Sequence, residues 1–174
     1  MKVKLADIEV AYSVQGEGTP VVLIHGLAEG KESWIGIQER LSEFKTFSYD
    51  LRGHGESTLG KGEGTLEQLG GDLIAFLEKV SGPAQCVGYS LGGTIVIWAA
   101  AKCPNLFSAA VVTGTSTVVG QQAVEFFEER IRIIEEGFSD FAPALLKDTA
   151  LQIVNSGVDL EAVVANRLEA VGNG

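Results

Sequence analysis

Val21-Val22-Leu23-Ile24 is an unbroken apolar run, rich in β-branched residues, set between Pro20 and His25-Gly26. A strand without polar alternation must be covered on both faces, as strands are inside a parallel sheet packed between helices. Phe44 to Tyr49 and Ala84 to Tyr89 read the same way, and Phe107 to Thr113 reads as a fourth strand of this kind. Between them lie helical periods. Over Thr65 to Val80, Leu66, Leu69, Leu73, Phe76, Leu77 and Val80 fall on one face, and Thr65 with Gln68 makes a capping-box start. Another helix follows Ser90 through Ile95, Val96, Trp98 and Ala99 to about Lys102, with Pro104 as its stop. Strands alternating with helices specify an α/β protein with a mostly parallel sheet and flanking helices. Ahead of them, Val3 to Leu5 and Ile8 to Val14 flank Ala6-Asp7 as an opening hairpin, closed by the turn-rich Gly16 to Pro20.

After Gly114 the pattern changes to helices alone. Val124, Phe127, Ile131 and Ile134 form one amphipathic stripe; Leu160, Val163, Val164, Leu168 and Val171 form another, with Pro143 predicted to open a helix between them. The chain therefore divides into residues 1–117, carrying the sheet, and residues 118–174, carrying the helical block. With 174 residues, 45% of them hydrophobic and 21% charged, it has the makings of a globular core.

The longest apolar stretch, Ile95 to Ala101, is far short of the ~20 residues of a membrane span, and Asp7 interrupts any signal-like start. A cytoplasmic protein is expected. Cys86 and Cys103 are too few for a disulfide framework or a metal site and read as free thiols. A net charge of −10 repels nucleic acid and anionic membranes, which leaves a small neutral or apolar substrate as the better partner.

The chemistry concentrates at Gly88-Tyr89-Ser90-Leu91-Gly92, where a strand runs straight into a helix. A serine there sits on a strained turn that lifts its oxygen above the sheet, and the positions two before and two after it must lack bulk. The helix that starts after Ser90 aims free N–H groups and its positive dipole end at the reacting centre, so the Leu91 amide is a candidate oxyanion donor. His25-Gly26-Leu27 follows the strand Val21 to Ile24, and a turn there can bring the Leu27 amide opposite that of Leu91. Asp50 to Ser57 follows the next strand.

In this order and spacing, His25-Gly26, Asp50 to Ser57 and Ser90 resemble the α/β-hydrolase superfamily, in the lid-bearing branch of enol-lactonases, esterases and carbon–carbon bond hydrolases. The resemblance covers essentially the whole chain. It implies Ser90 as the catalytic nucleophile, Leu27 and Leu91 as the oxyanion hole, Gly26 and Tyr89 beside the substrate, and the helical block as the lid. It implies no cofactor and no metal. Epoxide hydrolases and haloalkane dehalogenases place an aspartate at the nucleophile position, and Ser90 argues against both. Trp34, Phe126 and Phe127 are candidates for an apolar pocket wall, although core packing is the better reading of each.

One part of the pattern is not here. The family follows its lid with two strand–helix units of about 30 residues each, which deliver the acid and the histidine of the triad. His25 and His54, the only histidines, both precede Ser90 and are read as structural, with substrate contact left open for His54. Asp140, Asp148 and Asp159 are read as helix-end residues, and Asp50 and Arg52 as a loop-fixing pair. The expectation is a sheet incomplete at its C-terminal edge, where Ala109 to Val112 would be open to pairing. The acid and histidine would then come from a second chain, or be lost by cleavage or truncation, with Gly172-Asn173-Gly174 as the break site; self-association at the open edge is the other expected partnership. The function expected is hydrolysis of a small ester, lactone or related carbonyl substrate through an acyl-enzyme, with this chain alone inactive. A catalytically silent small-ligand-binding module and a cofactor-free haloperoxidase or perhydrolase are the alternatives.

Overall fold

In the computed structural model residues 1–152, 157 and 159–172 are described, without the side chains of residues 138, 139, 151, 152 and 170–172. Asn173, Gly174 and the Val171 side chain, part of the expected break site and helical stripe, lie outside them.

The chain opens with a hairpin, β1 (Lys2–Leu5) and β2 (Ile8–Gln15), paired antiparallel with Leu5 opposite Ile8 across Ala6-Asp7. Next come β3 (Thr19–Ile24), a 3₁₀ turn over Lys31–Trp34 leading into the short helix α1 (Ile35–Arg40), and β4 (Phe44–Tyr49). They are followed by α2 (Leu66–Phe76), β5 (Ala84–Tyr89), α3 (Leu91–Lys102) and β6 (Phe107–Thr113). The strands form one sheet in the order β1-β2-β4-β3-β5-β6. From β4 to β6 every pairing is parallel, and the registers Ile24↔Tyr49, Ile24↔Gly88 and Tyr89↔Thr113 align the carboxyl ends of four strands along one edge. The loops carrying His25, Asp50, Ser90 and Thr115 all leave from that edge, where open α/β sheets hold their ligands.

Val21 to Ile24 are all buried, as an unbroken apolar strand requires. Val22 and Ile24 join Phe47 and Tyr49 in the larger core, closed by Leu69, Leu73 and Phe76 of α2 and Ile95, Val96 and Ala99 of α3. Val21 and Leu23, on the opposite face, meet Trp34 with Phe44, Val87 and Tyr89. β6 ends the sheet, and from Ser108 onward its residues are exposed.

The capping box forms as predicted: the Thr65 hydroxyl accepts the Gln68 N–H, and the Gln68 carboxamide oxygen accepts the Thr65 N–H. The helix ends earlier than its stripe suggests. After Phe76 it widens into a π-helical turn over Leu77–Ser81, which buries Leu77 completely and lets the Gly82 N–H reach the Leu77 carbonyl.

Met1–Ser116 and Thr117–Glu169 form two compact units. The second contains α4 (Gln121–Glu136), α5 (Phe138–Gln152) and most of α6 (Leu160–Gly172). Pro143 lies inside α5 rather than at its start. The ring of a proline removes one N–H and crowds the preceding turn, and here the helix already has its first turn before that proline. Within this unit Phe141, Leu145 and Val164 are buried, while the α4 stripe of Val124, Phe127, Ile131 and Ile134 is exposed.

Candidate active site

Ser90 stands between β5 and α3 with φ 52° and ψ −123°, a conformation that a side chain makes costly. The neighbouring glycines explain how it is accommodated. A Cβ on Gly92 would stand 2.3 Å from the Ile24 carbonyl oxygen and 2.6 Å from that of His25; one on Gly88 would stand 2.5 Å from the Gly92 carbonyl. Those obstacles are backbone and cannot swing aside, so the turn closes only without bulk at either position. The Ser90 residue is exposed, and its N–H donates to the Thr113 carbonyl of β6 at 3.0 Å. Leu91 is the first residue of α3, where an α-helix leaves its N–H groups free of internal partners.

The adjacent loop follows β3. Gly92 lies against its Ile24 and His25 carbonyls, and Gly26 lies under the Tyr89 ring, 3.1 Å from where a Cβ would be. Tyr89 itself packs edge-on to Trp34, with ring centroids 5.8 Å apart. Trp34 is thus part of the core. Leu27, at 53% exposure, and Ala28, with φ 59°, form the crest of the loop. The structure brings the Leu27 loop and the Leu91 helix start to the same sheet edge on neighbouring strands.

Both histidines fasten this loop to the one after β4. The Leu51 N–H donates to His25 Nε2 at 2.9 Å, which makes that nitrogen the acceptor and leaves Nδ1–H to donate to the Gly26 carbonyl at 2.7 Å. Complete burial pushes the His25 imidazole down to about 4, so it is neutral. His54 accepts the Ala28 N–H at Nε2 (3.4 Å) and donates from Nδ1 to the Arg52 carbonyl (3.1 Å); burial lowers its pKa as well. The rings lie 5.3 Å apart. With all four nitrogens engaged by backbone, neither imidazole is free to take a proton from Ser90.

Residues 19–153 match the model of the alpha/beta hydrolase fold family. The chain belongs to the α/β-hydrolase family. It is 28% identical over 137 residues to 3-oxoadipate enol-lactonase 2 of Acinetobacter baylyi, covering 75% of this chain and 49% of that protein. It is 34% identical over 145 residues to the pimeloyl-(acyl-carrier protein) methyl ester esterase of Methylococcus capsulatus, covering 79% and 54%. Among solved structures, the enol-lactonase of Burkholderia xenovorans LB400 superposes with a TM-score of 0.82 at 26% identity, over 95% of this chain and 66% of that one. The chain spans about half the length of the two curated relatives named.

In this α/β hydrolase Asp50 and Arg52 do fix their loop, but not as a pair. Buried Asp50 accepts the Lys31 N–H (2.6 Å), the Lys31 ammonium (3.0 Å) and the Glu56 N–H (3.1 Å). Lys31 also reaches Glu56 at 2.8 Å, and these carboxylates raise its pKa despite its burial. Arg52 instead grips Asp72 of α2 with two bonds of 2.8 and 2.9 Å and reaches Asp7 in the first hairpin. Opposite charges on other elements take the place of the neighbour two residues along.

The carboxylates of the helical unit also have local partners. Asp159 caps α6, accepting the Glu161 and Ala162 N–H groups at 3.1 Å each. Asp148 is no helix-end residue: it lies within α5 and takes a bidentate grip from Arg130 of α4 at 2.7 and 2.8 Å. Phe126 and Phe127 pack on one another, with the Arg130 guanidinium 4.5 Å from the Phe126 ring centre. Cys86 and Cys103 are free thiols, and burial pushes Cys86 up to about 12, outside any nucleophilic range. Sequence reasoning assigned no role to Lys31, Asp72 or Thr115. Their partners Asp50, Arg52 and Ser90 lie 19, 20 and 25 residues away, and no local spacing signals such pairs.

Proposed function

We propose that this α/β hydrolase cleaves a small ester, lactone or related carbonyl substrate through an acyl-enzyme on Ser90. The observation that carries the reading is Ser90 itself: a serine held at positive φ on a strand-to-helix turn that the backbone contacts at Gly88 and Gly92 forbid to any bulkier sequence. Such strain is retained where it serves a function. Ser90 Oγ attacks the carbonyl carbon as its proton passes to an imidazole. The Leu27 and Leu91 N–H groups stabilise the oxyanion, with Gly26 and Tyr89 beside the substrate. Collapse of the tetrahedral intermediate returns that proton to the leaving alcohol, and water then repeats the sequence on the acyl-enzyme. The names of the relatives, an enol-lactonase and a methyl ester esterase, support an ester or lactone as the substrate class.

The imidazole comes from outside these 174 residues, because every ring nitrogen of His25 and His54 already serves the backbone. The same occupation favours a second reading, a catalytically silent ligand-binding module. A fluorophosphonate probe separates the two. Native enzyme, with whatever polypeptide carries the histidine, should label at Ser90 stoichiometrically. Ser90→Ala should abolish labelling and lower turnover by several orders of magnitude, as loss of a triad member does. Unchanged turnover in that variant overturns the assignment, and native enzyme that turns over no ester and takes no label is the silent module.

A further inference from the structure

Both peptide groups of Ser90 are tied to the segment that leaves β6. Its N–H donates to the Thr113 carbonyl at 3.0 Å, and its own carbonyl accepts from Thr115 Oγ1 at 2.8 Å. Gly114 between them turns at φ 57°, a left-handed conformation open to glycine without steric penalty, so that residues 113 and 115 address the same serine. The direction of the Thr115 hydroxyl follows by elimination. A carbonyl only accepts, so the single Thr115 proton goes to Ser90; Thr94 Oγ1 lies 2.9 Å from Thr115 Oγ1 and 3.3 Å from the Ser116 carbonyl, with one proton between the two. Thr115 also packs on the first turn of α3: a Cβ at Gly93 would stand 2.8 Å from Thr115 Cβ.

We propose that Thr115 is a positioning residue for the oxyanion donor at Leu91, an inference that rests on the functional reading above. The Ser90 carbonyl and the Leu91 N–H belong to one peptide group, and no peptide among the described residues is cis, so the two point in opposite directions. Holding the carbonyl against Thr115 aims the Leu91 N–H the other way. The Gly93 and Thr94 amides reach the same carbonyl at 3.1 and 3.3 Å, but they belong to α3 and move with it. Thr115 arrives from the neighbouring strand and ties that peptide to the sheet. His25 supplies the matching geometry on the other loop, where its Nδ1–H holds the Gly26 carbonyl and so orients the Leu27 N–H.

Two readouts test the idea with Thr115→Val, which keeps the shape and removes the donor, and Thr115→Ser, which keeps the donor. The first is activity-independent: in the 174-residue chain the Leu91 amide should have a rigid-backbone NMR order parameter of about 0.85 in the parent and in Thr115→Ser, and fall well below it in Thr115→Val. The second is kinetic. In the native enzyme Thr115→Val should lower kcat roughly tenfold on an activated ester, with KM unchanged, because an oxyanion donor acts in the transition state; Thr115→Ser should restore the rate. A Leu91 amide equally rigid in Thr115→Val, or a loss confined to KM, overturns the proposal. If Ser90→Ala leaves turnover unchanged, the functional reading falls, and the order parameter still decides whether Thr115 holds the Leu91 peptide.

Discussion

His25 shows what a single buried ring contributes when both its nitrogens bond backbone. In the unfolded chain it titrates near 6.5, and in the fold burial moves it to about 4. Between those values the unfolded state binds more protons, so stability is full above pH 6.5 and falls as the pH is lowered towards 4. The part owed to His25 is on the order of 3 kcal/mol. Urea unfolding of the parent and His25→Asn across pH 7 to 4 measures it: the parent should lose that much more stability than the variant over the interval. Parallel curves would rule the assignment out. At this scale the site was partly legible. Gly88, Ser90 and Gly92 form a contiguous pattern because one tight turn dictates all three. The partners of Asp50 and Arg52 were not, since Lys31 and Asp72 reach them from 19 and 20 residues away and any of many charges in the sequence would have matched as well.

Among the elements, Arg52 is the joint that holds the β4 loop, α2 and the first hairpin together. Its guanidinium is bidentate to Asp72, reaches Asp7 at 3.1 and 3.3 Å and donates to the Leu59 carbonyl at 3.1 Å. Hydrogen bonding to it holds the Asp7 carboxyl down at about 2. Arg52→Met leaves Asp72 a buried carboxylate without its fork, which should destabilise the fold by about 3–5 kcal/mol, and Arg52→Met with Asp72→Asn should recover part of that loss. A single-variant loss under about 1 kcal/mol in chemical denaturation would show the joint to be ornamental. The strands and α3 were legible to within a residue or two because their apolar runs are dense and end at polar or turn-forming residues such as Asp50, Ser90, Pro104 and Gly114. Lys31–Arg40 was passed over, since its buried residues are Lys31, Trp34 and Gln38 and make no apolar stripe. Pro143 misled for a related reason: proline signals a helix start by its fixed φ, and nothing local shows that a turn already precedes it.

For the whole molecule the decisive feature is β6, which ends the sheet with Val111 57% and Val112 39% exposed on its two faces. An apolar strand end with unpaired backbone groups is a template for another strand. A strand added parallel to β6 would finish at the same edge as Ser90, because Tyr89 pairs with Thr113 in register. A histidine delivered there by the next one or two strand–loop units would come to Ser90, the proposed nucleophile, without disturbing the loops that His25 and His54 already fix. The proposed completing polypeptide therefore docks on β6, and the native enzyme should exceed the 18.4 kDa of this chain, through a companion or a continuation of it. Val111→Lys removes an exposed side chain and should change the stability of the isolated chain by no more than about 0.5 kcal/mol. It should nevertheless weaken association with a companion, or with a second copy of the chain, at least tenfold in sedimentation velocity over a concentration series, because a lysine on the edge resists strand addition. Native material that is active, monomeric and 18.4 kDa would refute both the docking and the split site.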